Sequence, residues 1–420
     1  MAGRGASSTM EFQPRAVSLR RGITSLSHRD FRLFWSSQIF SLIGTWMQVV
    51  AQDWLVLELT GSPFILGVVS ALQFLPTLVL GMVGGVVADR LPRRRLLLFT
   101  QSSAMTLAFV LGILTWTGSV RIAHVMILAL LLGTVNALDM PTRQAFVVEL
   151  VDREDLQNAI ALNSAAFNSA RLVGPAVAGL AISWVGLAGC FFLNGFSFLG
   201  VIGVLLTIRA GSRAVRRGVR ATSVWADLRE GLEYVGETPV VRLIILMMAV
   251  VGTFGMNLSV LIPVLARNSL QVGPEGYGFL SSAMGAGALS AALLLASLGR
   301  TPRRRAYLGS AAALGILQML LLVVHQYLPA LFILVGLGFS MIFFTTLSNT
   351  VLQTSTPDML RGRVMSVYTT VFVGSTPLGS LFAGGIAENW GVGAAFFACG
   401  VAALGMALVG IPLSRGVRRR

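Results

Sequence analysis

Apolar runs of about twenty residues, each long enough to cross a bilayer as a helix, recur from Phe31 to Leu413 with short basic or Gly/Pro-rich junctions between them. No soluble core absorbs that much apolar length. Twelve spans can be drawn, at 33–56, 64–88, 96–117, 122–144, 157–180, 184–208, 242–265, 276–298, 306–324, 329–352, 364–387 and 393–413. They read as helices, because an open sheet edge leaves backbone groups unsatisfied in hydrocarbon and a membrane barrel alternates in segments of about ten residues. The chain is therefore expected to be an all-α, polytopic membrane protein. Its composition, 55% hydrophobic and 12% charged, leaves too little polar surface for a wetted globule.

A formal charge of +15, taken alone, fits a nucleic-acid binder, but its placement argues against nucleic acid. All 32 basic residues are arginine, and they collect in the N-terminal tail and at 90–95, 209–220, 300–305, 361–363 and 415–420. With both termini cytoplasmic, the outer loops keep little positive charge beyond Arg121 and Arg267, as the positive-inside rule requires. The arginine clusters then face anionic membrane lipids. The first thirty residues are polar, and no cleaved signal peptide is visible. Cys190 and Cys399 fall inside spans as packing residues, and His28, His124 and His325 have no ligand spacing, so no metal is expected. No Walker-type phosphate loop, Ser-His-Asp order or paired carboxylates stand out. Neither a cofactor nor an enzyme activity has support.

The chain divides into a tail at 1–30, six spans at 31–208, a linker at 209–241, six spans at 242–413 and a basic tail at 414–420. In the linker, 209–222 reads as flexible and basic, and Val224, Trp225, Leu228, Leu232 and Val235 then form one apolar stripe of an amphipathic helix. Weak repetition relates the two halves. The segment GVVSALQFLPTLVLGMVGGVVADRLPRRR from Gly67 matches GFLSSAMGAGALSAALLLASLGRTPRRR from Gly278. GPAVAGLAISWVGLAGCFFLNG from Gly174 matches GSLFAGGIAENWGVGAAFFACG from Gly379. Six-helix halves related about an axis along the membrane normal are a transporter architecture with the substrate path between them. Such a chain works as a monomer, whereas a channel is usually assembled from several copies.

The twelve-span layout, the central loop and the junction after span two resemble the major facilitator superfamily over essentially the whole chain. The superfamily's loop signature, a glycine, an Asp-Arg pair and two basic residues, is matched by Gly85, Asp89, Arg90, Arg93 and Arg94, with Pro92 where glycine is usual. Within the superfamily, SLSHRDFRLFWSSQIFSLIGTWMQVVAQDWLVLELTGSP and NALDMPTRQAFVVELVDREDLQNAIALNS resemble bacterial drug exporters related to the enterobactin and macrolide exporters. The resemblance implies two pseudo-symmetric six-helix bundles in a bacterial inner (cytoplasmic) membrane. It also implies alternating access that expels small amphipathic molecules, drug-like compounds or siderophores, in exchange for protons. A lipid or lysophospholipid transporter and a non-transporting scaffold or receptor are the alternatives. For the junction residues the resemblance implies a latch that holds one conformation; topology-fixing charge alone is the plainer reading. In the second copy Gly299 stands opposite Asp89, so that turn keeps the anchor without the acid.

Asp53 is the most informative residue. An ionised carboxylate at membrane depth is costly, so three roles fit it: proton or substrate-charge coupling, a structural hydrogen bond, or an interfacial position. Arg171 in span five needs an acidic or polar partner, and Asp53 lies at a matching depth. Asp139 and Arg143, at i and i+4, read as a gating pair at the cytoplasmic end of span four, with Asp152, Glu154 or Asp155 as further contacts for Arg143. Gly174, Pro175 and Gly179 resemble the exporters' Gly-Pro signature, allowing a bend and close packing between the halves; Pro377, Gly379 and Gly384 are their counterparts. The cavity candidates are Trp46, Met47, Gln48, Gln52, Gln73, Phe74, Asn136, Asn163, Asn168, Met256, Asn257, Phe344 and Asn349. Aromatics with Met and amides suit adaptable, amphipathic ligands.

Overall fold

A computed structural model describes residues 24–208, 224–298 and 304–416. The tail before Thr24, residues 209–223 with the basic linker, residues 299–303 with Gly299 and the last four residues lie outside the described residues, as do the side chains of Val224, Trp225 and Leu228. The first half contains α1 (Arg29–Thr60), α2 (Pro63–Arg90), α3 (Arg93–Trp116), α4 (Ile122–Glu149) and α5 (Leu156–Thr207). After α6 (Val224–Glu237) come α7 (Pro239–Gly255), α8 (Leu258–Val264), α9 (Pro274–Leu298), α10 (Arg304–Leu320), α11 (Tyr327–Ser355) and α12 (Asp358–Gly416).

Eight helical segments among the described residues have the length and hydropathy of a membrane span. Two of them, α5 and α12, are double. Each runs unbroken except at one glycine, Gly186 (φ 71°, ψ 177°) and Gly391 (φ 86°, ψ 160°), where the chain reverses. The eight segments thus make ten crossings; α1, which carries Asp53 and Glu58, and the short α10 supply the other two. The sequence reading put the first of these breaks a few residues earlier, since Gly186 looks like any other glycine in an apolar run.

These two glycines occupy backbone space that an L side chain rarely enters. Gly186→Ala and Gly391→Ala are each expected to lower unfolding stability in detergent by about 1–3 kcal/mol. The control Gly203→Ala, at a helical position with open space around it, is expected to be neutral or stabilising.

The pairing of helices repeats between halves. In the first, α1 packs on both arms of α5, α2 on α4, and α3 on the second arm of α5; in the second, α7 packs on both arms of α12, α9 on α11, and α10 on the second arm of α12. One end of the molecule carries the turns at Gly61, Gly118, Gly186 and Gly391, with Trp116, Trp184 and Trp390 largely exposed beside them. This Gly61 end has the aromatic girdle of a membrane interface. The opposite end carries Arg90, Arg93, Arg94, Arg153, Arg305 and Arg361. The largest apolar cluster runs through both halves, and includes Trp54, Leu57 and Leu66 from the first with Leu261, Tyr277 and Leu280 from the second. At the Arg93 end the first half has its own cluster, built on Phe31, Phe34, Leu97, Phe146 and Leu205, with no residue from the second. The halves are therefore joined at the Gly61 end.

Two observed helices depart from the expected spans. The seventh span is broken after Gly255, resumes as α8 and ends in a π-turn at Leu265–Ser269. The linker helix α6 is fastened to the second half: Gly231 lies against the Arg363 carbonyl, Glu230 pairs with Arg363, and Val235 is buried.

Candidate functional site: the seam between the bundles

The two bundles meet along two seams built from equivalent parts. On one, a methyl group at Gly67 of α2 would collide with the Ser380 carbonyl of α12, and one at Gly384 would meet the Pro63 backbone. On the other, a methyl at Gly278 of α9 would collide with the Pro175 carbonyl of α5, and one at Gly179 would meet Glu275. Only glycine permits such backbone approach. Gly174 and Gly379, expected at the same interface, instead pack within their own bundles, the first against Trp46 and the second against Thr253 and Asn257. Pro175 and Pro377 both sit inside continuous helix.

Polar contacts close the same end. Tyr277 of α9 donates its hydroxyl to Asp53 Oδ2 at 2.9 Å, which ties the first bundle to the second. Trp54 stacks on the Tyr277 ring with centroids 6.1 Å apart, and its Nε1–H donates to Glu58 at 2.8 Å. Arg267 donates to the Leu57 carbonyl, which also accepts the Gly61 N–H that caps α1. Glu388 accepts from the Ser62 hydroxyl at 2.8 Å and from the Phe64 N–H at 3.3 Å, so that a carboxylate from the second bundle sits at the N-terminus of α2, where the helix dipole favours it. The expected partnership of Asp53 with Arg171 is not formed. Arg171 lies over the Trp46 ring, 5.6 Å from its centroid.

Toward the Arg93 end the bundles present polar faces. On α5, Asn163 and Asn168 are half-buried, and Ser164 and Ser169 are exposed. On α11, Thr346, Asn349, Thr350 and Gln353 form a stripe at i, i+3, i+4 and i+7, with Gln353 donating to Asn349 at 2.5 Å. Polar faces at this depth belong to a wetted cavity rather than to lipid. Sequence reasoning found the asparagines and missed Thr346, Thr350 and Gln353, although their helical spacing was available as a signal.

Several cavity candidates belong elsewhere. Gln48 is buried and accepts from Asn194 inside the first bundle at 2.7 Å. Met47 and Gln52 are buried, Phe344 is fully buried and stacked on Tyr307, and Asn257 is buried with its amide donating to the Thr253 carbonyl. Met256 packs on the main apolar cluster. Gln73 and Asn136 are half-buried and Phe74 is 41% exposed on α2.

The arginine junction acts inside the first bundle. Arg93 pairs with Glu149 at 2.5 Å and stands 3.8 Å from the exposed Asp89, while Arg94 donates to the Leu205 and Leu206 carbonyls at the end of α5. Arg90 is exposed. Gly84 makes the close approach, against Ala137 of α4, whereas Gly81 and Gly85 face open space. Asp139 and Arg143 do pair, but not at a mouth lined by Asp152, Glu154 or Asp155. Asp139 is 5% exposed and accepts from Thr100 at 2.7 Å and Gln101 at 2.8 Å, and Arg143 also donates to Gln38. Asp155 is held instead by the segment before α1. Hydrogen bonds from Thr24 and from His28, the latter at 2.8 Å, keep its carboxyl below the usual carboxylate range.

Two six-helix bundles that close on one another at one membrane face and present polar walls at the other define a membrane transporter, not an enzyme. Residues 21–416 match the family model described as transmembrane secretion effector, and the chain belongs to that family of the major facilitator superfamily. It is 30% identical over 380 residues to the multidrug efflux pump Tap of Mycolicibacterium fortuitum, covering 89% of this chain and 92% of that one. It is 26% identical over 387 residues to the staphyloferrin A transporter of Staphylococcus aureus, covering 90% and 94%. Among solved structures, a bacterial homolog of the human lysosomal transporter Spinster, in an inward-facing and occupied conformation, superposes with a TM-score of 0.74 at 14% identity, covering 92% of this chain and 97% of that one. That likeness establishes the fold.

Proposed function

We propose that this protein exports small amphipathic molecules by alternating access, with proton entry as the driving reaction. The observation that carries it is the asymmetry of the two ends. The Gly61 end is sealed by Asp53–Tyr277, Ser62–Glu388 and the glycine seams, and the polar stripes of α5 and α11 are exposed toward the other end. The arginine-rich end is taken as cytoplasmic by the positive-inside rule; on that reading this is the inward-facing state and both ends of the described chain, at Thr24 and Gly416, face the cytoplasm. The names of the similar proteins, a multidrug efflux pump and a staphyloferrin A transporter, support export of small molecules across a bacterial cytoplasmic membrane. The moving units are 31–208 and 242–413, with 209–241 as the tether. The monomer suffices, because both seams lie within one chain, and arginines at the cytoplasmic face hold anionic lipids.

Asp53 is assigned the proton, and Asp89, Arg90, Arg93 and Arg94 the latch of the opposite state. The test is a disulfide across the seal. In everted vesicles loaded by pH gradient with a fluorescent amphipathic dye, the double variant Ser62→Cys/Glu388→Cys should stop transport when oxidised and regain it on reduction. Full cross-linking with transport undiminished would show that the Gly61 end need not open, and the proposal would fall.

A further inference from the structure

Arg171 is a cation without a counter-ion. It makes no ion pair or hydrogen bond among the described residues, and its Nε is closed off from solvent with no partner. A guanidinium stays charged at any relevant pH, and at membrane depth an unpaired charge is costly. The acids of the helix interiors are already engaged, Asp53 by Tyr277 and Asp139 by Arg143. Among the described residues no acid completes Arg171, which points to an anion supplied from outside the chain.

Its position says which molecules bring that anion. The Arg171 carbonyl touches the site of Gly285 on α9, so the residue sits on the α5–α9 seam, on the Arg93 side of the Pro175–Gly278 contact. Its guanidinium covers Trp46, and Trp46 meets Phe167 edge-on at 5.9 Å. Phe167, one helical turn toward the Arg93 end, is 43% exposed, beside the exposed Ser164. The contact with Trp46 is a cation–π one, and the guanidinium N–H groups have no hydrogen-bond partner among the described residues, the groups with which an arginine binds a carboxylate through two parallel hydrogen bonds. Next to it lies an aromatic platform.

We infer that Arg171, Trp46 and Phe167 form the substrate's anion subsite, so that the preferred cargo is an amphipath carrying a carboxylate beside an aromatic or apolar body. This rests on the export reading above and narrows its substrate class. Full-length protein in detergent would be titrated with a carboxylate-bearing fluorescent amphipath and with its methyl ester. The wild type should bind the acid about tenfold to a hundredfold more tightly, the span expected of hydrogen bonds to a charged group. Arg171→Gln should bring the two within about twofold, and Arg171→Lys should keep part of the preference, with the thermal unfolding of each variant confirming a folded protein.

Equal affinity for acid and ester in the wild type, or a preference that survives Arg171→Gln, overturns the inference. Arg171-dependent binding of lysophosphatidylglycerol without binding of the carboxylate assigns the anion to a lipid headgroup and also overturns it. Proteoliposome flux of the same pair separates the two readings. Export without discrimination defeats the subsite alone, whereas discrimination in binding with no flux of either probe defeats the export reading and leaves the subsite standing.

Discussion

Asp53→Asn is expected to reduce flux driven by a pH gradient to the level of vesicles lacking the protein, while substrate-for-substrate exchange persists. In the closed seal Asp53 accepts the Tyr277 hydroxyl at 2.9 Å. Opening the Gly61 end draws α9 away from α1 and strips the carboxylate of that donor. Water entering from the outer side then reaches the carboxylate and exchanges protons with it, and closing seals Asp53 from that side and returns it to Tyr277. Asparagine still accepts the Tyr277 hydrogen bond, so the seal forms, but it carries no proton through the cycle. Tyr277→Phe leaves the carboxylate and removes only the donor, and a hydrogen bond to a charged group is worth about 1.5–3 kcal/mol. Its flux should stay proton-driven and fall by about tenfold or more. Undiminished pH-driven flux in Asp53→Asn would remove this residue from the coupling reaction.

Asp139→Ala is expected to cost about 3–5 kcal/mol of unfolding stability in mixed micelles, the scale for breaking a buried ion pair. Asp139 gathers Thr100, Gln101 and Arg143, and Arg143 reaches on to Gln38, so the carboxylate links α3 and α4 directly and α1 through the arginine. Its loss leaves the partly buried Arg143 uncompensated. Adding Arg143→Met to Asp139→Ala should therefore cost less than the sum of the single changes, because the second substitution removes the orphaned charge. Additive single costs would mean that the pair is not coupled. This network lies inside the first bundle, so stability and transport should fall together, unlike the Asp53 series.

The spans were legible because hydrophobic length is a one-dimensional signal, and the halves were legible because Gly67 with Gly278 and Gly174 with Gly379 keep their offsets. Faces were not. In a membrane helix the side turned to lipid is as apolar as the side turned to its neighbours, so the pattern did not reveal that Phe344 and Gln48 point into their own bundle while Thr350 and Gln353 line a polar wall. Asp53 was legible as a costly residue, yet its partner was not. Tyr277 lies in the other half of the chain, and burial depth alone suggested Arg171. Arg143 was half legible: its pair with Asp139 one turn away was expected from the i, i+4 spacing and is present, but Gln38 on α1 completes it where Asp152, Glu154 or Asp155 had been expected.

Each half of this chain contributes both the glycine that is received and the carbonyl that receives it, at matching positions. Such a contact is isologous: two copies of a single half already possess both glycine seams of the closed end. The double seam therefore has the geometry of a symmetric dimer of six-helix units carried on one polypeptide, and the contacts that break the symmetry, those of Asp53 and Arg171 among them, set the two halves apart.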